Sequence, residues 1–221
     1  MPFRAVIFDL GGVVLPSPLD VFRAYEARHG LPDRFLSEVV VAGGESGAWS
    51  RLERGELTPA AFADSFQAEC RAAGGTVSVT DLLTEVGRDS RPRPAMLRAT
   101  REIRRHRLRT AALTNNWASD DGAAMGDRHP ELVASFDVVV ESAREGLRKP
   151  DPRIYELACA RLAVEPHEAV FLDDLGANLK PARALGMTTI KVDDPTGALA
   201  ALESVLGFPL GDAAESARRG A

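Results

Sequence analysis

Cysteine is scarce in this chain, and its placement matters more than its number. Two are present among 221 residues, Cys70 and Cys159, far apart and in different predicted helices. That excludes a disulfide framework and the paired spacing of a zinc site, and reduced thiols of a cytoplasmic protein are the expectation. Long apolar runs are also missing. No stretch approaches the roughly 20 residues that a membrane-spanning helix needs. The N-terminus turns strand-like by Phe3, with Arg4 interrupting it, so no signal peptide is expected. Positive charge is not in excess either: the net charge is -5, which disfavours a nucleic-acid partner. No internal repeat is present.

What remains is the balance of a soluble globular protein, with 45% hydrophobic and 27% charged residues. Short β-like runs recur at Val6–Phe8, Thr110–Leu113, Phe136–Val140, Ala169–Leu172 and Thr188–Val192. They are apolar on successive residues instead of alternating, the pattern of strands buried on both faces. Helical segments over Pro94–His106, Pro152–Leu162 and Leu175–Leu185 separate the later runs. Strand and helix in alternation predict an α/β fold with a parallel sheet and right-handed crossovers.

The stretch from about Leu19 to Arg91 breaks this rhythm. It offers helices over Asp20–Arg28, Asp33–Val41, Trp49–Arg54 and Ala60–Ala72 and no convincing strand, with Thr58-Pro59 as a helix start. The expected organisation is a core of residues 1–18 and 91–208, a helical cap of residues 19–90 lying over the site, and a frayed tail of residues 209–221.

Four polar signals close their own strands or loops: Asp9 after Val6–Phe8, Thr114-Asn115-Asn116, Arg148-Lys149-Pro150 and Asp173-Asp174. In an open parallel sheet the ligand site lies beyond the carboxyl ends of the strands, so these groups can converge. Asp9 reads as a nucleophile or a metal ligand, against the plainer role of a turn residue. Asp173 and Asp174 offer the hard oxygens that suit Mg²⁺, although one of them could cap the following helix. Thr114 and Asn115 suit phosphoryl oxygens. Lys149, taken alone, is an ordinary surface lysine; its place in the series makes it a group that could neutralise a nucleophile and a phosphate together. Glu45, Trp49, Arg51, Glu53 and Arg54 are possible substrate contacts that the sequence does not rank. Trp117 reads as packing, His129 shows no evident partner, and the arginines between Arg98 and Arg109 read as a solvated helix face.

Phe8-Asp9-Leu10-Gly11-Gly12-Val13, Leu113-Thr114-Asn115-Asn116, Lys149-Pro150-Asp151-Pro152 and Phe171-Leu172-Asp173-Asp174-Leu175-Gly176-Ala177-Asn178 together resemble the four motifs of the haloacid dehalogenase-like hydrolases. The last string is similar to the phosphatase domain at the front of soluble epoxide hydrolases. The chain to about Leu210 also resembles the hydrolase-like front domain of certain multidomain acyl-CoA dehydrogenase family proteins.

The resemblance implies a Rossmann-like core with a helical cap after the first strand, acting on a small phosphorylated metabolite. Asp9 would be the nucleophile, forming an aspartyl-phosphate. Thr114, Asn115 and Lys149 would bind phosphate. Asp9, the Gly11 carbonyl, Asp173 and Asp174 would hold Mg²⁺, with Asn178 supporting them. Gly11 departs from the family, whose phosphatases usually carry an aspartate there as general acid and base. The expectation is therefore a slow hydrolase or one restricted to good leaving groups. A weakened phosphate- and metal-binding module is the alternative, and a metal-free dehalogenase a third reading. Oligomeric state is not legible.

Overall fold

The computed structural model describes residues 3–88, 91–119, 122 and 129–211. Five strands, β1 (Ala5–Phe8), β2 (Arg109–Thr114), β3 (Val138–Glu141), β4 (Ala169–Asp173) and β5 (Thr188–Lys191), pair in parallel in the order β3-β2-β1-β4-β5. The apolar runs are buried on both faces, as their composition requires. On β1, Ala5 and Ile7 pack into one layer with helices α9 (Pro152–Leu162) and α10 (Gly176–Ala184). Val6 and Phe8 pack into the opposite layer with α6 (Pro94–Arg105) and α11 (Pro195–Leu206). Each fully buried aliphatic or aromatic side chain of this kind contributes about 1.5–3 kcal/mol.

Chain direction across the sheet decides where a ligand can sit. From central β1 the chain moves outward through β2 and β3, then returns to the other side of β1 for β4 and β5. The connections therefore diverge between β1 and β4, and a crevice opens at their carboxyl ends. Asp9 and Asp173 stand there.

Between β1 and α6 lie α1 (Pro18–His29), α2 (Phe35–Gly43), α3 (Ala48–Glu53), α4 (Pro59–Ala72) and α5 (Val79–Arg88). They share an apolar cluster separate from the sheet layers, including Phe22, Tyr25, Leu36, Trp49, Phe62 and Phe66. Trp49 is its hub, edge-on to Phe22 at 5.1 Å and to Phe62 at 5.5 Å. Trp117, which follows β2, reaches it at 6.0 Å, so its packing role is as expected and it joins the insert to the sheet layers.

Four helix starts repeat one device. Ser17-Pro18, Thr58-Pro59, Asp151-Pro152 and Asp194-Pro195 each place a capping oxygen before a proline in the first turn. The sequence predicts helix starts at the second and third of these, Thr58-Pro59 and Pro152. The fifth insert helix, α5, and the last helix, α11, were not predicted. β3 begins at Val138, not Phe136, because α7 (Pro130–Val133) ends in a turn that buries Phe136 against Phe8 at 6.0 Å. The packed chain also reaches past the expected boundary of the tail: Leu210 is buried, and its N–H donates to Glu203 Oε1 at 2.7 Å. Residues 212–221 of the expected tail lie outside the described residues. Among the described residues, no helix is long and apolar enough to cross a membrane.

Candidate active site

Asp9 leaves β1 into a turn that fixes its carboxylate. Its N–H donates to Leu172 O at 2.8 Å, extending the β1–β4 pairing by one residue. Among the described residues its carboxylate bonds fall on Oδ1, which accepts from Leu10 N at 2.6 Å and from Lys149 Nζ at 2.8 Å. The turn needs glycine at position 12. Gly12 has φ of 77°, and a Cβ there would lie 2.1 Å from Asp174 Oδ2. The backbone and the carboxylate thus approach more closely than any side chain allows.

Arg93 holds this turn from below. Its Nη1 donates to the carbonyls of Gly12, Val13 and Leu15 at 2.8, 2.7 and 2.8 Å, and its N–H donates to Val14 O at 2.8 Å. In the sequence this role is unmarked beyond the flanking Pro92 and Pro94, which bias the intervening backbone towards extension.

Lys149 is fully buried, and its ammonium bridges Asp9 Oδ1 at 2.8 Å and Asp173 Oδ2 at 2.7 Å. Burial opposes its charge, but the two carboxylates outweigh burial and raise its pKa. Asp173 also accepts from Leu175 N at 2.8 Å and from Asn178 Nδ2 at 3.0 Å on Oδ1. Tyr155 in turn donates to Asn178 O at 2.7 Å. Asp174 accepts from Ser17 Oγ at 3.3 Å, and Ser17 accepts from Leu19 N as the cap of α1. Burial pushes the Asp9 carboxyl well above its ordinary range against the pull of Lys149, and Asp173 and Asp174 push it further. Burial and then Asp173 raise Asp174 likewise.

These shifts describe a site with too much negative charge for its own cation. Asp9, Asp173 and Asp174 bring ligand oxygens within 4.8 Å of one another, and one ammonium faces three carboxylates. Hard oxygen donors, crowded and desolvated, fit Mg²⁺. The missing Cβ at Gly12 is what lets Asp174 reach the group.

Thr114 ends β2, and Asn115 follows it, on the neighbouring side. The Asn115 amide brackets Lys149: Oδ1 accepts from Lys149 N at 2.8 Å and Nδ2 donates to Lys149 O at 3.0 Å. Nδ2 also donates to Glu53 Oε2 at 3.2 Å, across from the helical insert. Glu53 is nearly buried and gathers Arg148 Nε at 2.8 Å and Trp49 Nε1 at 2.9 Å. Arg148 continues to Glu45 at 3.2 Å, and Arg54 pairs with Glu45 at 3.1 Å. At Gly55, with φ of 70°, a Cβ would stand 2.5 Å from Ala143 O, so insert and sheet layers approach closely there. Of the five insert residues that the sequence left unranked, Glu53 is the one bonded to Asn115, and none of the five is in the cavity wall described below. Arg51 is turned outward, paired with Glu56.

A cavity of about 170 Å³ opens between the insert and the strand ends. Gly11, Ser17 and Thr114 form polar parts of its wall, while Leu15, Val86 and Trp117 are among its apolar ones. A Cβ at Gly11 would meet Pro18 Cδ at 3.2 Å.

Residues 3–186 match the family described as haloacid dehalogenase-like hydrolase. The chain is 44% identical over 212 residues to acyl-CoA dehydrogenase family member 10 of Mus musculus, covering 94% of this chain and 20% of that protein. It is 38% identical over 222 residues to bifunctional epoxide hydrolase 2 of Sus scrofa, covering 95% of this chain and 40% of that protein. The chain therefore spans less than half the length of either. A sesquiterpene phosphatase of Aspergillus oryzae is 27% identical over 206 residues, covering 93% of this chain and 97% of that one. Among solved structures, a family enzyme of Bacteroides thetaiotaomicron in complex with magnesium and inorganic phosphate shares the fold, with a TM-score of 0.55, 19% identity, and 86% and 93% of the two chains covered.

Proposed function

The chain belongs to the haloacid dehalogenase-like hydrolases, and from that premise we propose that it is a Mg²⁺-dependent phosphomonoester hydrolase acting on a small phosphorylated metabolite. The observation that carries this reading is the convergence of Asp9, Asp173 and Asp174 on one another, beside a buried lysine that pairs with the first two. A carbon–halogen displacement on an anionic acid has no use for such a cluster, which would repel the substrate. The relative named as a sesquiterpene phosphatase supports the same choice.

Asp9 is the nucleophile. Lys149 and Leu10 N occupy Oδ1, which leaves Oδ2 to attack phosphorus and form the aspartyl-phosphate. Asp9, the Gly11 carbonyl, Asp173 and Asp174 are the residues that would hold Mg²⁺, whose charge, when bound, offsets that of the phosphate. Lys149 neutralises nucleophile and phosphate together. The Thr114 hydroxyl and the backbone N–H of Asn115 take the phosphoryl oxygens, while the Asn115 amide keeps the Lys149 backbone in place. The helical insert acts as a cap that shields the reaction from water. The apolar part of the cavity wall favours a leaving group with a hydrocarbon face.

Gly11 supports a second reading, a binding module that keeps the pocket with little turnover. A panel of aryl, acyl, sugar and lipid phosphates with and without Mg²⁺ separates the two. Mg²⁺-dependent phosphate release supports the hydrolase, and silence across the panel in a protein that Mg²⁺ stabilises thermally supports the module.

A further inference from the structure

Position 11 carries no side chain, so the family's usual acid and base is absent and the leaving-group oxygen needs its proton from elsewhere. Gly11 and His129 line the same cavity. Among the described residues of that lining, His129 carries the one side chain of a type that serves as both general acid and general base. Of the two hydroxyls of the wall, Ser17 donates to Asp174 at 3.3 Å, and Thr114 is the one assigned above to the phosphoryl oxygens.

His129 is also held on a firm base. Its carbonyl accepts from Leu132 N and Val133 N at 3.1 Å each, at the head of α7. Leu132 and Phe136, which follow it, are buried in the same layer as Phe8. The imidazole is half-buried. Nothing on its own stretch of sequence marks it, which is why it had no evident partner there.

We propose that His129 is the general acid and base of this site, acting from the wall of the cavity that Gly11 also lines; this rests on the phosphohydrolase reading above. Asp9 Oδ2 forms a bond to phosphorus as the bond from phosphorus to the leaving oxygen breaks, and that oxygen takes the proton of the His129 imidazolium. The neutral imidazole then accepts a proton from the attacking water. The water oxygen bonds to phosphorus, the bond to Asp9 breaks, and Asp9 returns to a carboxylate as inorganic phosphate departs.

The test is a leaving-group series of p-nitrophenyl, phenyl and primary alkyl phosphates, with Mg²⁺, read as kcat/KM in the wild type, His129→Gln and Asp9→Asn. The glutamine variant is expected to lose about 10²-fold or more on the phenyl and alkyl esters, and little on p-nitrophenyl phosphate, whose anion departs without a proton. Added imidazole should restore part of the loss in His129→Ala. A loss that is uniform along the series, or no loss, overturns the role of His129 while Asp9-dependent release preserves the hydrolase. Release untouched by Asp9→Asn, or none from the wild type on any ester, overturns both. Should the His129 variants not fold, the wild-type series decides: a steep dependence on the leaving group overturns the assignment, and a shallow one supports it.

Discussion

Replacing Lys149 with methionine removes the only cation between Asp9 and Asp173 among the described residues while keeping much of the side chain's volume. The lysine side chain is 1% exposed, with its partners at 2.8 and 2.7 Å. Breaking a buried pair by deleting one member costs about 3–5 kcal/mol, because the remaining charge is stranded. For a chain of this size 1 kcal/mol moves Tm by about 2–4 °C, so Lys149→Met should melt about 6–20 °C lower in Mg²⁺-free buffer. The same substitution leaves three carboxylates without an ammonium. Saturating Mg²⁺ should therefore raise Tm by more in the variant than in the wild type. Thermal unfolding followed by circular dichroism, with chelator and with Mg²⁺, reads both effects. A chelated variant melting within about 2 °C of the wild type would refute the view of Lys149 as a buried neutraliser.

Gly12→Ala should abolish Mg²⁺-induced stabilisation, since its Cβ would collide with Asp174 Oδ2 at 2.1 Å on a backbone of positive φ; an unchanged Mg²⁺ titration would contradict this. Glu53→Ala strips the buried Trp49 Nε1 of its partner and removes one of the bonds of Arg148 and of Asn115 at the seam, and should cost about 2–3 kcal/mol in urea unfolding; an unmoved midpoint would mean that the seam contributes nothing. In a His129→Gln background, Gly11→Asp should restore turnover on alkyl phosphates, and more so when combined with Pro18→Ala, because Pro18 Cδ would sit 3.2 Å from the new Cβ; equal rates with and without the aspartate would argue against position 11 as a place for the acid. Burial pushes the Cys70 and Cys159 thiols up to about 12. Their preference for the neutral thiol persists through neutral pH and is lost only as pH rises through that value. At pH 8 a thiol reagent should therefore modify the native protein about 10³-fold more slowly than a free thiol, and modify both cysteines in denaturant. Rapid native labelling would contradict their burial.

The sheet was legible because its strands are short, apolar on consecutive residues and each followed by a polar group. Asp9, Thr114 and Asp173 were found by that contrast alone. Their convergence follows from strand order, which places β1 between β2 and β4. α11 escaped notice although Asp194-Pro195 and Gly207 mark its two ends, because its Ala-rich body has weak amphipathic contrast. α5 lay in a stretch already read as helices and loops, although Val79, Leu82, Leu83 and Val86 keep helical spacing there. The supports of the site were illegible for a different reason. Arg93 to Gly12, Glu53 to Arg148 and Ser17 to Asp174 join residues 81, 95 and 157 positions apart. Each is an ordinary polar residue until the fold brings its partner near, and one sequence carries no sign of the pairing. Asn115 shows the same limit: its type suited phosphate, and its amide bonds to Lys149 appear only in three dimensions.

The central claim is that Asp9 is phosphorylated during turnover. Rapid acid quenching of the protein with Mg²⁺ and an aryl phosphate, followed by peptide mapping, tests it directly. The account predicts a labile phosphate on the peptide that carries Asp9, absent from Asp9→Asn. Phosphate release at the wild-type rate from Asp9→Asn, or turnover by a wild-type protein that never carries the label, would contradict it.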